Sequence, residues 1–144
     1  MAFWKLKIAI KKAFWTKCSA GLQTIGDHIR KRRNDLGLLQ KEVAKLFKVS
    51  EDTVTYWEND RAKPFIRYMP SIIQFLGYNP LNTENNTLGG RIEAYRIVHG
   101  LSFKKLAKLM RVDASTVASW EANKCSPHPK KLKELEKHLS AFSI

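Results

Sequence analysis

QKEVAKLFKVSEDTVTYWEN, residues 40–59, holds two short helical patterns on either side of a break. In the first, residues 40–47, Val43, Ala44, Leu46 and Phe47 gather on one side at helical spacing. Lys48-Val49 interrupts the pattern, and Ser50 then offers a hydroxyl to cap a second helix. Glu51 and Asp52 fall in its first turn, where negative charge suits the positive end of the helix dipole. Val54 and Trp57, three apart, face one core.

The stretch occurs twice. Shifted by 63 positions, residues 24–64 align without a gap on residues 87–127. Identical pairs include Gly26/Gly89, Ile29/Ile92, Arg33/Arg96, Gly37/Gly100, Ala44/Ala107, Val54/Val117, Trp57/Trp120, Glu58/Glu121 and Pro64/Pro127. This is internal duplication, with a unit long enough to be a small domain rather than a solenoid repeat. Outward from the quoted stretch, residues 24–35 read as a helix through Ile25 and Ile29, closed by Gly37. Residues 66–76 read as a closing helix in which Pro70 predicts a kink or a split. The second copy reads as helices over 87–98, 102–110, 114–122 and 129–140. Leu132, Leu135, Leu139 and Phe142 make one stripe on its last helix. Between the copies, GYNPLNTENN (77–86) is rich in Asn, Gly and Pro, as a linker is. Nothing in either copy alternates like a strand. The expected organisation is all-α: a basic aromatic arm over 1–23, a first domain over 24–79, a linker over 80–86 and a second domain over 87–144.

Two short helices across a tight turn, with a small residue in the first, have helix-turn-helix geometry. The pattern Gln40-x-Glu42-x-Ala44, Val49-Ser50, Thr53-Val54 and Trp57-Glu58-Asn59 resembles the lambda-repressor-like, Xre/Cro family of DNA-binding domains. The second copy is similar through Leu106-Ala107, Val112, Thr116-Val117 and Trp120-Glu121. It departs at Phe103, where the family usually has Gln, and at Asp113, where Ser is common. The tandem layout looks like a group of bacterial regulators with two such domains. In that family the second helix of the motif enters the major groove, its N-terminal residues meeting base edges. The resemblance therefore implies Glu51, Asp52, Thr55 and Tyr56 as readers in the first copy and Ala114, Ser115, Ala118 and Ser119 in the second. It also points to Gln40, Asn59, Arg61, Lys63 and Lys124 as backbone contacts. It implies that Arg33–Glu58 and Arg96–Glu121 are buried structural ion pairs. Arg33 is thus expected to turn inward, leaving Arg30, Lys31 and Arg32 to solvent or phosphate.

Charge points the same way. The 144 residues carry 26 Lys+Arg against 13 Asp+Glu, a net charge of +13, which calls for a polyanionic partner: DNA, RNA or an anionic membrane surface. A basic soluble surface without such a partner is the plain alternative. The second copy is the more basic, and its lysines (Lys104, Lys105, Lys108, Lys124, Lys130, Lys131) would supply affinity for phosphates. Its reading residues are small and suit thymine methyl contact, whereas Glu51 and Asp52 suit either helix capping or cytosine N4 amines. Asp60 falls past the helix, in solvent near Arg61.

Other functions lack their chemistry. Cys18 and Cys125 stand far apart, as in a reducing cytosol, and with the four histidines they show no metal-ligand spacing. No cofactor, no metal and no enzymatic activity are expected: no carboxylate pair, catalytic triad or phosphate loop is suggested. No membrane span is long enough to predict, and a cytoplasmic location is expected. The arm, MAFWKLKIAIKKAFWTK, has five lysines, no acid and four aromatic residues. It suits packing on a domain, pairing with a protein partner, or contact with nucleic acid or membrane. The leading expectation is a sequence-specific regulator binding double-stranded DNA. The rival is a protein-interaction or adaptor module, antitoxin-like or from a defence system, with the helical domains as scaffold. The oligomeric state is not legible.

Overall fold

The structure, a computed structural model, describes residues 21–81 and 86–140. Most of the arm, four linker residues and Phe142 lie outside that range. Among the described residues there are eight α-helices and one 3-10 turn, and no strand. The chain divides into two compact units, one ending at Leu81 and the other starting at Asn82.

In unit one, α1 spans Ile25–Leu36, α2 Gln40–Phe47, α3 Glu51–Glu58 and α4 Met69–Leu76. The expected first helix starts one residue later than the sequence reading placed it, because Thr24 is its cap. The Thr24 hydroxyl accepts from Asp27 N, and the Asp27 carboxylate accepts from Thr24 N at 3.1 Å. These backbone amides hold the Asp27 carboxyl below its ordinary value. Gly37, at φ 66°, ends α1 in the left-handed region that glycine enters without strain. Ser50 caps α3 as its hydroxyl accepts from Thr53 N. The closing helix is split as Pro70 predicts. A 3-10 turn over Ile66–Tyr68 precedes α4, and Pro70 sits in the first turn, where its missing N–H breaks no helical bond.

Unit two has α5 at Leu88–His99, α6 at Phe103–Met110, α7 at Ala114–Glu121 and α8 at Pro129–Ser140. Thr87 and Ser102, read as helical, are caps, and Ala122 lies just past α7. The duplication extends to the backbone: Lys48 and Arg111, Asp60 and Asn123, and Gly37 and Gly100 all take positive φ, each pair 63 apart. Asp and Asn enter this region more readily than most residues. Lys48 and Arg111 do so at a cost of about 1–2 kcal/mol, and in doing so they turn the chain tightly between the motif helices.

The cores repeat as well. Ile29, Val43, Ala44, Phe47, Val54, Trp57, Ile72 and Leu76 are buried in unit one. Ile92, Leu106, Ala107, Met110, Val117, Trp120, Leu135 and Leu139 occupy the matching places in unit two. Met69 and Phe75 in unit one, and Ala94 and Ile97 in unit two, are buried without buried counterparts, and one buried pair is unequal in kind. Where unit two buries Tyr95, unit one buries Arg32, which is 1% exposed. This corrects the expectation that Arg32 faces solvent or phosphate: its Nε donates to the carbonyl of Phe75 at 3.1 Å, near the C-terminal end of α4. That carbonyl end carries partial negative charge, which offsets part of the cost of burying a cation.

Candidate nucleic-acid interface

Each motif is held by the same three-way joint. In unit one the Arg33 Nε and Nη2 donate to the two oxygens of Glu58 at 2.7 and 2.9 Å, and Nη1 donates to the Leu38 carbonyl. In unit two Arg96 grips Glu121 at 2.6 and 2.8 Å and donates to the Leu101 carbonyl. One guanidinium thus ties α1 to the end of α3 and to the loop before α2, and its counterpart does the same for α5, α7 and the loop before α6. The bidentate geometry fixes direction as well as distance. The hydrogen bonds that Arg33 donates to Glu58 hold its guanidinium pKa above the ordinary value.

Close approach of the helices depends on glycine. A methyl group at Gly26 would come within 1.9 Å of the Trp57 carbonyl oxygen, and one at Gly89 within 2.1 Å of the Glu121 carbonyl oxygen. The N-terminal turn of α1 therefore sits directly on the last turn of α3, and that of α5 on the last turn of α7. That contact sets how closely α3 and α7 approach the first helix of their units.

The exposed faces differ between the units. On α3, Glu51, Asp52 and Tyr56 are exposed and Thr55 is half-buried. Its hydroxyl donates to the Glu51 carbonyl and to Gln40 Oε1, each at 3.1 Å. Gln40 in turn donates to Glu58 at 2.9 Å, so this residue, expected to meet the DNA backbone, also braces α2 against α3. Asn59, also expected there, accepts from Arg30 Nη2 at 2.6 Å, and Arg30 donates to the Glu58 carbonyl as well. Arg61 and Lys63 are exposed just beyond the helix.

On α7, Ser115 is exposed while Ala114, Ala118 and Ser119 are half-buried. The Ser119 hydroxyl donates back to the Ser115 carbonyl at 2.9 Å. Lys124 is exposed, and its amide donates to the Ser119 carbonyl just as that of Arg61 donates to Tyr56, both at 2.9 Å. The lysines Lys104, Lys105, Lys108 and Lys130 are exposed too. Lys131 is turned inward, donating to the Met110 carbonyl.

Arg30, and Phe103 with its ring under the Arg96 guanidinium, belong to the joint as well, and the sequence carries a signal for both. Where unit one has Gln40 and Thr55, unit two has Phe103 and Ala118; where unit one has Arg30 and Asn59, unit two has Glu93 and Ala122. Both members of each bonded pair change together between the copies.

Among the described residues, no group of three or more His, Cys, Asp or Glu is placed to hold a metal ion, and no helix is long and apolar enough to cross a membrane. No curated protein and no solved structure gives a significant match. Residues 29–81, from the middle of α1 through α4, match the helix-turn-helix family.

Proposed function

We propose that the chain is a sequence-specific regulator that binds double-stranded DNA through two helix-turn-helix units of the lambda-repressor-like, Xre/Cro kind. α3 and α7 are the helices that enter the major groove, and the cytoplasm is its setting. The observation that carries this reading is the repeated joint. Both units hold the third helix in place with an Arg–Glu pair and a glycine contact. Around both helices lie cations suited to phosphate: Arg61 and Lys63 in unit one, Lys104, Lys105 and Lys124 in unit two. Two units on one chain raise each other's effective concentration at neighbouring half-sites. Unlike reading faces favour an asymmetric or directly repeated site over a palindrome.

Selection of fragments bound by the full chain from random duplex DNA tests the reading. An enriched sequence with two unlike halves is expected. Affinity should fall steeply with salt, by ~10³-fold or more between about 50 and 200 mM if six or more phosphates are neutralised. No enrichment, or no dependence on salt, would sink it.

A further inference from the structure

α3 carries a face poorly suited to a polyanion. Leu39, at the start of α2, is 57% exposed and Tyr56 is 47% exposed. The same two helices carry three exposed carboxylates: Glu42, which accepts from the Leu39 amide, and Glu51 and Asp52 in the first turn of α3. The Thr55 hydroxyl bonds both Gln40, next to Leu39, and the Glu51 carbonyl, which brings the start of α2 to the first turn of α3. Asp52 and Tyr56 lie one turn apart on the same side of α3. The matching surface of unit two has no acid at Ala114 or Ser115.

We infer that this acidic, aromatic face is a docking site for the arm of the same chain, residues 1–20. Charge is the first ground: the arm carries Lys5, Lys7, Lys11, Lys12 and Lys17 and no acidic residue, interleaved with Phe3, Trp4, Phe14 and Trp15. Ammonium groups meet the carboxylates, and aromatic rings meet Leu39 and Tyr56. Reach is the second ground. The arm joins unit one just before Thr24, and Gly26 lies against the Trp57 carbonyl at the end of α3. The tip of that eight-residue helix is about 12 Å further on, at 1.5 Å per residue. Twenty residues cover about 30 Å even when wholly helical. A tethered segment needs little intrinsic affinity, because a short connection gives it a local concentration of about the millimolar order. The docked arm neutralises Glu51 and Asp52 and stands where a duplex would enter. Its effect on DNA rests on the proposed function, whereas the docking itself does not.

The test is cross-linking of the full chain, without DNA, by a carbodiimide that joins an amine to a carboxylate with loss of water. Peptide mapping of the dilute monomer should find Lys5, Lys7, Lys11 or Lys12 joined to Glu51 or Asp52 within one chain. These links should fall severalfold at about 1 M salt, where the screening length is ~3 Å. They should vanish in the double variant Glu51→Gln, Asp52→Asn, whose helical circular dichroism should match the parent because both side chains are exposed. Links spread evenly over other carboxylates such as Asp35, Glu93 or Glu134, insensitivity to salt, or links that only join two chains would each overturn the proposal. Because no duplex is present, failure to bind DNA would leave these outcomes readable.

Discussion

The guanidinium of Arg96 lies over the ring of Phe103, its central carbon 3.9 Å from the ring centroid. In unit one the matching place is filled by Gln40, which reaches Glu58 and Thr55 by hydrogen bonds. The two units thus brace the same Arg–Glu joint by different means, one with a polar relay and the other with a cation stacked on an aromatic face. Phe103→Ala should lower the stability of unit two by about 2 kcal/mol or more, through lost stacking and lost burial. A double-mutant cycle with Arg96→Ala, followed by urea unfolding, should give a coupling of about 1 kcal/mol or more. Additive effects would count against the stack.

Glu58 is 3% exposed, and Arg33 is its bidentate partner. Arg33→Ala leaves a buried carboxylate with its main partner gone, at a cost of about 3–5 kcal/mol. Arg33→Lys should recover only part of this, because an ammonium cannot grip both oxygens and the Leu38 carbonyl together. Chemical denaturation monitored by Trp57 fluorescence, in a background with Trp4, Trp15 and Trp120 replaced by Phe, gives the comparison.

Gly26→Ala and Gly89→Ala should each destabilise by about 1–3 kcal/mol or more, since the new methyl would overlap a backbone carbonyl that cannot swing aside. Helix propensity alone predicts the opposite sign, because alanine is favoured over glycine within a helix. Thermal melts decide between the two.

His28 is buried, with Nδ1 2.6 Å from the Tyr78 hydroxyl; Arg32 lies nearby and Asp27 is its sequence neighbour. Burial pushes its pKa below the ordinary 6.5, against a weaker upward pull from Asp27. A histidine with a lowered folded pKa binds more protons when unfolded. Its contribution to stability is therefore complete above pH 6.5 and is lost as the pH falls through the lower, folded value. Melting temperatures at pH 7.5 and 5.0 should differ more for the parent than for His28→Gln, measured in one buffer system. Equal differences would exclude His28 as the source.

Arg61 and Lys124 occupy matching sites just past α3 and α7. Under the proposed function each meets a phosphate. Arg61→Ala and Lys124→Ala should each weaken duplex binding about equally for all sequences and reduce the salt slope by ~1. A change of sequence preference without a change of slope would place these side chains on bases instead.

The elements were legible because their signals are local. Ser50 has its hydroxyl within reach of the amides three residues on, Gly37 accepts a positive φ, and Val54 and Trp57 share a face whatever surrounds them. Residues 40–47 form a helix over the span that their periodicity predicts. The repeat allowed the same reading twice. Arg32 escaped it because nothing local separates a buried arginine from its half-buried neighbour Lys31 or the exposed Asn34. Its fate depends on α4, forty residues away, bringing the Phe75 carbonyl to its Nε.

Sequence by itself therefore determined roughly where each helix of this protein lies, though not every end residue, which side of it is apolar, and that one helical pattern recurs 63 residues on. Those properties follow from hydrogen bonds and side-chain spacing within a turn or two. Tertiary structure alone decided that Gly26 and Gly89 serve as points of contact, that Arg32 is interior, that Gln40 and Phe103 brace the two matching joints by unlike means, and that Gln40, next to Leu39, is bonded to Thr55 of α3. Each of these depends on groups far apart in the chain coming within a few ångströms, and that distance is set by how whole helices pack.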